Sequence, residues 1–66
     1  MIKQNIKDTM IKKYEAEIYQ HQLNINIMMT NPIAIPEHED FVSAIDKELD
    51  LLSNAKDKLE ALKEYF

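Results

Sequence analysis

The chain contains no cysteine, so no disulfide can brace a small fold, and a reducing cytoplasm suits it better than an oxidising exterior. Glycine is absent as well, and proline occurs only twice, at Pro32 and Pro36. With no glycine to relax the backbone elsewhere, these two prolines mark the one obvious place for the chain to turn. Arginine is missing too: the eight basic residues are all lysine, set against twelve acids for a net charge of -4. Nucleic-acid binding ordinarily relies on arginine forks and a basic face, so no nucleic-acid partner is expected. No stretch approaches the ~20 apolar residues of a membrane span. The opening Met1-Ile2-Lys3-Gln4-Asn5 also lacks the continuous apolar core of a signal peptide. The expected protein is soluble, unprocessed and cytoplasmic, with no membrane partner.

What is present is helical periodicity. Ile11, Tyr14, Ile18, His21, Ile25 and Met28 recur at alternating spacings of three and four, which is a heptad seam. Ile2 and Ile6 extend it toward the N-terminus after a phase change near Met10, predicting a helix over about residues 2–29. Leu23-Asn24-Ile25-Asn26-Ile27 alternates like a strand, but no glycine or Asn-Gly turn is available to pair it with Ile33-Ala34-Ile35. Pro32 disfavours the α conformation at Asn31 and removes a backbone donor, which places the turn at residues 30–36. Ile33 and Ile35 are apolar enough to fold down as a lid on that end.

Pro36 suits the first position of a second helix, and Glu37, Glu39 and Asp40 then set negative charge where its dipole favours it. Phe41, Ile45, Leu49, Leu52, Leu59, Leu62 and Phe66 mark the apolar face of this helix, with Val42, Leu51 and Ala55 widening it, over about residues 37–65. The fold expected is all-α: one domain over residues 1–66, a two-helix antiparallel hairpin with Tyr14, Ile18, Ile25, Ile45, Leu49, Leu52 and Leu59 inside. A hairpin has a single seam, and chains this short usually need a staple or a partner subunit. A homo-oligomer is therefore expected, two hairpins making a four-helix bundle. That pairing would leave Val42, Leu51, Leu62 and Phe66 covered.

Charge is unevenly placed. Residues 1–13 carry Lys3, Lys7, Lys12 and Lys13 against Asp8, while residues 36–50 carry Glu37, Glu39, Asp40, Asp46, Glu48 and Asp50 against Lys47. Within one hairpin these patches lie at opposite ends, so they can meet only between subunits, in an antiparallel dimer. Exposed pairs are worth ~0 to 1 kcal/mol each and would choose orientation more than supply affinity.

Glu37-His38-Glu39-Asp40 is the densest group of potential metal ligands, yet consecutive helical residues diverge. The Glu-x-x-His spacing of bundle di-iron sites is also missing, since Ile18 and Ile35 precede His21 and His38 by three. Neither a metal nor a cofactor is expected. His38 is better placed to hydrogen-bond the last carbonyls of the first helix, and His21, with Glu17 one turn before it, to serve as a partly buried polar group fixing register. Ser43 and Ser53 have no histidine at usable spacing, and Asp46 with Asp50 are neighbours on a helix face, so no catalytic residue and no enzyme is expected. Met28-Met29 reads as gap-filling side chains or an adaptable contact surface.

The run Asn31-Pro32-Ile33-Ala34-Ile35-Pro36-Glu37-His38-Glu39-Asp40 between two helices resembles small uncharacterised proteins of tailed bacteriophages, especially marine and cyanobacterial ones. In these the turn reads approximately Asn-Pro-Val-Gly-Ile-Gly-Glu-His-Pro-Asp, and here Ala34 and Pro36 stand in place of the glycines. The resemblance implies a viral accessory or assembly role in a host cytoplasm. It also makes Asn31, Pro32, Glu37, His38, Glu39 and Asp40 the residues to expect at the turn or in contact with an unknown protein partner. Lys47-Glu48-Leu49-Asp50-Leu51-Leu52 is similar, more weakly, to the two-helix sporulation aspartyl-phosphatase regulators. That family has Ser-Gln where this chain has Asp46-Lys47, and it implies a regulator of a phosphorylated signalling protein acting through a Glu48/Asp50 face.

Overall fold

In a computed structural model of the protein, the described residues are 1–30 and 38–66, with side chains described outside residues 31–39. Helix α1 runs Ile2–Thr30 and helix α2 runs His38–Tyr65, packed against each other, with no strand among the described residues. The proposed lid of Ile33 and Ile35 lies outside them. Leu23 to Ile27 is helical throughout. The strand-like alternation there has a helical explanation, because Asn24 accepts a hydrogen bond from Gln20 one turn earlier, Nε2 to Oδ1, at 3.0 Å. Near its end α1 is closed by Thr30 Oγ1, which donates to the Asn26 carbonyl at 2.7 Å.

The helices run antiparallel, and their register follows from one contact, His21 Nδ1 to Glu48 Oε2 at 2.6 Å. One heptad toward the termini from this level lie Tyr14 and Ala55, and one heptad toward the turn lie Met28 and Phe41. Tyr14, Phe41 and Ala55 are buried, as is Ile25. A large ring level with a methyl, and a thioether level with a ring, is the large-against-small alternation that lets two helices approach closely. A second heptad step toward the termini reaches Lys7 and Leu62, which line one groove together.

Three expectations need correction. Leu49 is 45% exposed rather than inside, because it lies one position beyond the seam residue Glu48 and points to the flank. Ile2 and Ile6 are exposed, at 77% and 56%. The seam passes instead through Met10 and Lys7, both half-buried, with the aliphatic stem of Lys7 covering apolar surface. Ile18, Ile45, Leu52 and Leu59 are half-buried, not fully enclosed. Val42, Leu51 and Phe66 are exposed, while Leu62 is half-buried.

The first turn of α1 holds no acid and carries Lys3, the wrong sign for that end of the helix dipole. Lys3 and Lys7, however, lie beside Leu62 and Phe66 at the C-terminal end of α2, where the dipole is negative. Neighbouring antiparallel helices thereby accommodate lysines that α1 alone would disfavour.

The hairpin is a rod of 51 × 15 × 12 Å with a radius of gyration of 15.3 Å, against roughly 11 Å for a compact domain of this length. Its seam is therefore all the core it has. Ala55→Leu is expected to lower stability by about 1 to 3 kcal/mol by forcing Tyr14 out of its rotamer, whereas Ala61→Leu, on the exposed side of the same helix, changes it little. Chemical denaturation of the two variants checks this.

Candidate functional site

The only side-chain hydrogen bonds between the helices, among the described residues, meet at Glu48. Its Oε2 faces His21 Nδ1 at 2.6 Å, and its Oε1 accepts from Asn24 Nδ2 at 3.3 Å. An ionised carboxylate only accepts, and the His21 tautomer with its proton on Nδ1 satisfies this contact. Asn24 in turn accepts from Gln20, giving a chain of donors, Gln20 to Asn24 to Glu48, met from the other side by His21. The His21 and Glu48 side chains keep 18% and 21% of their surface exposed, enough to shed part of the desolvation cost of a charge in an apolar seam. No buried side-chain nitrogen or oxygen among the described residues lacks a partner.

Local sequence explains the placement. His21 and Asn24 are three apart on α1 and share a flank, while Phe41, Glu48 and Ala55 are one heptad apart on α2 and share the seam. Glu17, expected beside His21, turns instead to Lys13, whose Nζ lies 3.3 Å away. Lys13 also sits over the Tyr14 ring, 5.1 Å from its centroid. Sequence reasoning placed His21 in the seam and did not pair it with Glu48. The signal was available: a carboxylate interrupting an apolar heptad on one helix, and an imidazole interrupting the other.

Of the expected turn and contact residues, Asn31, Pro32 and Glu37 lie outside the described residues, as do the side chains of His38 and Glu39. Asp40 is described, and it is exposed. Glu48 and Asp50 do not form one face: the first is held in the seam by His21 and Asn24, and the second is exposed. Ser43 and Ser53 are exposed, each five residues from Glu48 along α2, and neither has a hydrogen bond to a carboxylate or imidazole among the described residues. No group of three or more histidines or acids close enough to hold a metal ion occurs among the described residues. None of their helices is long and apolar enough to cross a membrane.

A second feature lies at the end of the hairpin that carries Met1 and Phe66. Lys3, Ile6, Lys7, Met10, Leu62 and Phe66 line an open groove of about 300 Å³, continuous through Ile6 and Met10 with a shallow depression beside Ile2, Asn5 and Thr9. Its walls are hydrocarbon, including the lysine stems. The arrangement can receive apolar side chains.

No family model, curated protein or solved structure matches this chain. The geometry shows Glu48 joining the two helices through His21 and Asn24, and an open apolar groove at the end that carries Met1 and Phe66.

Glu48→Ala is expected to cost about 1 to 2 kcal/mol, since His21 and Asn24 lose their acceptor in a half-buried site. Replacing both His21 and Glu48 by Leu is expected to restore stability to at least the parental value. Thermal melts of the single and double variants decide it, and a double variant no better than Glu48→Ala would show that the pair itself stabilises the hairpin.

Proposed function

We propose that this protein is a non-enzymatic interaction module, a helical hairpin that self-associates through its helix flanks and contacts a protein partner. Its setting, on the resemblance of the turn sequence, is the accessory or assembly machinery of a tailed bacteriophage in the host cytoplasm. The observation that supports self-association is surface. The hairpin exposes 5365 Å², about 1,000 Å² more than the roughly 4,400 Å² expected of a folded monomer of 7.8 kDa. A standard interface removes ~800 Å² per partner, so one such contact would bring the chain to an ordinary ratio of surface to mass. The large apolar side chains at issue include Ile2, Ile6, Val42, Leu49, Leu51 and Phe66, each at least 45% exposed.

The alternative, a regulator addressing a phosphorylated signalling protein through Glu48 and Asp50, receives less support. A carboxylate already accepting from His21 and Asn24 is poorly placed to act on a partner.

Sedimentation equilibrium at micromolar concentration is expected to return at least twice 7.8 kDa, with a melting temperature that rises with protein concentration, as it must when folding and association are linked. A monomer whose melting does not depend on concentration would refute self-association.

A further inference from the structure

Acids are missing from the groove at the open end of the rod, although residues 1–15 and 55–66 contain five. At 100° per residue, Asp8 and Glu15 lie about 140 to 160° round α1 from Met10, and Asp57, Glu60 and Glu64 lie about 140 to 160° round α2 from Leu62. All five point away. Gln4 holds Asp8 on that far side, Nε2 to Oδ1 at 2.9 Å, and Lys56 lies 3.9 Å from Glu60. On the groove's own side the next acids are Glu17, paired with Lys13 at 3.3 Å, and Glu48, held by His21 and Asn24. The groove itself has cations. Lys3 and Lys7 stand among Ile6, Met10, Leu62 and Phe66, and neither has an ion-pair partner among the described residues. The negative end of the α2 dipole favours both lysines here, yet it amounts to about half a charge and leaves the ammonium groups cationic. Lys58, exposed one turn before Leu62, adds a third cation to this side.

That combination matches a ligand that is apolar and anionic at once, an acyl chain beneath a negative head group. A neutral apolar ligand would gain nothing from the lysines, and a small polar anion nothing from the hydrocarbon. Two sources offer this chemistry, a free fatty acid and the anionic lipids of a bilayer. The bilayer fits better. The groove of about 300 Å³ is open, so a lone fatty acid would keep much of its chain in water. At a bilayer the chains shelter one another, and the exposed Ile2, Tyr65 and Phe66 are covered as well. Lysines reach from apolar surface to the head-group layer on their aliphatic stems, and tyrosine suits the same depth. The net charge of -4 does not oppose the contact. The acids of the turn half are spread along a rod 51 Å long, and exposed charges more than about 8 Å apart are largely screened at physiological salt.

We propose that the open end of the hairpin is a contact surface for anionic lipid bilayers, with Ile2, Ile6 and Phe66 entering the head-group boundary and Lys3, Lys7 and Lys58 facing lipid phosphates. No described helix is long and apolar enough to cross the membrane, so the contact is peripheral. It departs from the expected absence of a membrane partner, because a search for apolar runs registers spans and not a lysine-rimmed apolar tip. It does not rest on self-association, and it leaves the flanks and the turn to other chains.

The chain has no tryptophan, so Phe66→Trp supplies a single reporter at the tip and Ser43→Trp one at an exposed position near the turn. With vesicles of phosphatidylglycerol and phosphatidylcholine in equal parts, Phe66→Trp emission is expected to shift to the blue and Ser43→Trp emission to stay unchanged. Co-sedimentation of the parent chain is expected to be at least about tenfold weaker with pure phosphatidylcholine, and to fall as salt rises. Lys3→Glu and Ile6→Asp, both at exposed positions, are each expected to lower association at least about fivefold with helicity retained, while Lys47→Glu, in the acidic half, changes it less than about twofold.

Equal sedimentation with neutral and anionic vesicles would remove the role of the lysines and with it the proposal. Absence of sedimentation with either would overturn it outright, and a blue shift at Ser43→Trp but not at Phe66→Trp would put the contact at the wrong end. A Phe66→Trp shift with dodecanoate and none with vesicles would assign the groove to free fatty acids instead. A chain that binds anionic vesicles yet is monomeric in solution would leave this surface standing and refute self-association alone.

Discussion

The contact between His21 Nδ1 and Glu48 Oε2, 2.6 Å long, is where two nearly featureless helices acquire a register. Hydrophobic side chains alone would let one amphipathic helix slide along another by a heptad at modest cost, since isoleucine, leucine and methionine replace each other tolerably. An imidazole and a carboxylate cannot be so exchanged. A slip of seven residues would place Glu48 level with Tyr14 or Met28 and His21 level with Phe41 or Ala55, leaving both polar groups against hydrocarbon. The penalty falls on the wrong alignments, and the pair need add little to the stability of the right one. Asn24 narrows the choice further, because its amide reaches Glu48 only in this register.

From that level the rest of the seam follows by heptads, and the steps explain which side chains are buried. Tyr14 is level with Ala55, a large ring against a methyl, and Phe41 is level with the flexible Met28. The same steps carry the seam past Ile6 to Lys7, and so leave Ile2 and Ile6 outside it. Exposure of apolar residues at the open end is thus a consequence of register. It is what creates the groove.

Much of this was legible in the residues. The alternating threes and fours from Ile11 to Met28, the prolines at 32 and 36, and the acids after Pro36 suffice to place the helices close to where they run. The position of His21 in the seam also follows from spacing. What periodicity did not disclose was α2's own central layer, because Phe41, Glu48, Ala55 and Leu62 include a carboxylate and an alanine. A search for apolar residues finds Phe41, Ala55 and Leu62 but passes over Glu48, and centres the core on the more hydrophobic row through Ile45, Leu49 and Leu52, which the structure turns partly to solvent. The strand-like run from Leu23 to Ile27 misleads for a related reason. Asparagine looks like a solvent-facing residue in an alternating pattern, while Asn24 serves inside a helical network.

That displaced row bears on what the molecule does. Had α2 used Ile45, Leu49 and Leu52 as its whole core face, the hairpin would have buried its best hydrocarbon within itself. Giving the central layer to Glu48 and Ala55 instead lets the helices register and approach closely, while isoleucine and leucine are left on the flanks. A stable monomer would be poorly served by such a division, which spends apolar side chains on surface. A subunit that folds and assembles in one step is well served by it, because the polar pair sets how its own helices align and the flanks remain available to other chains.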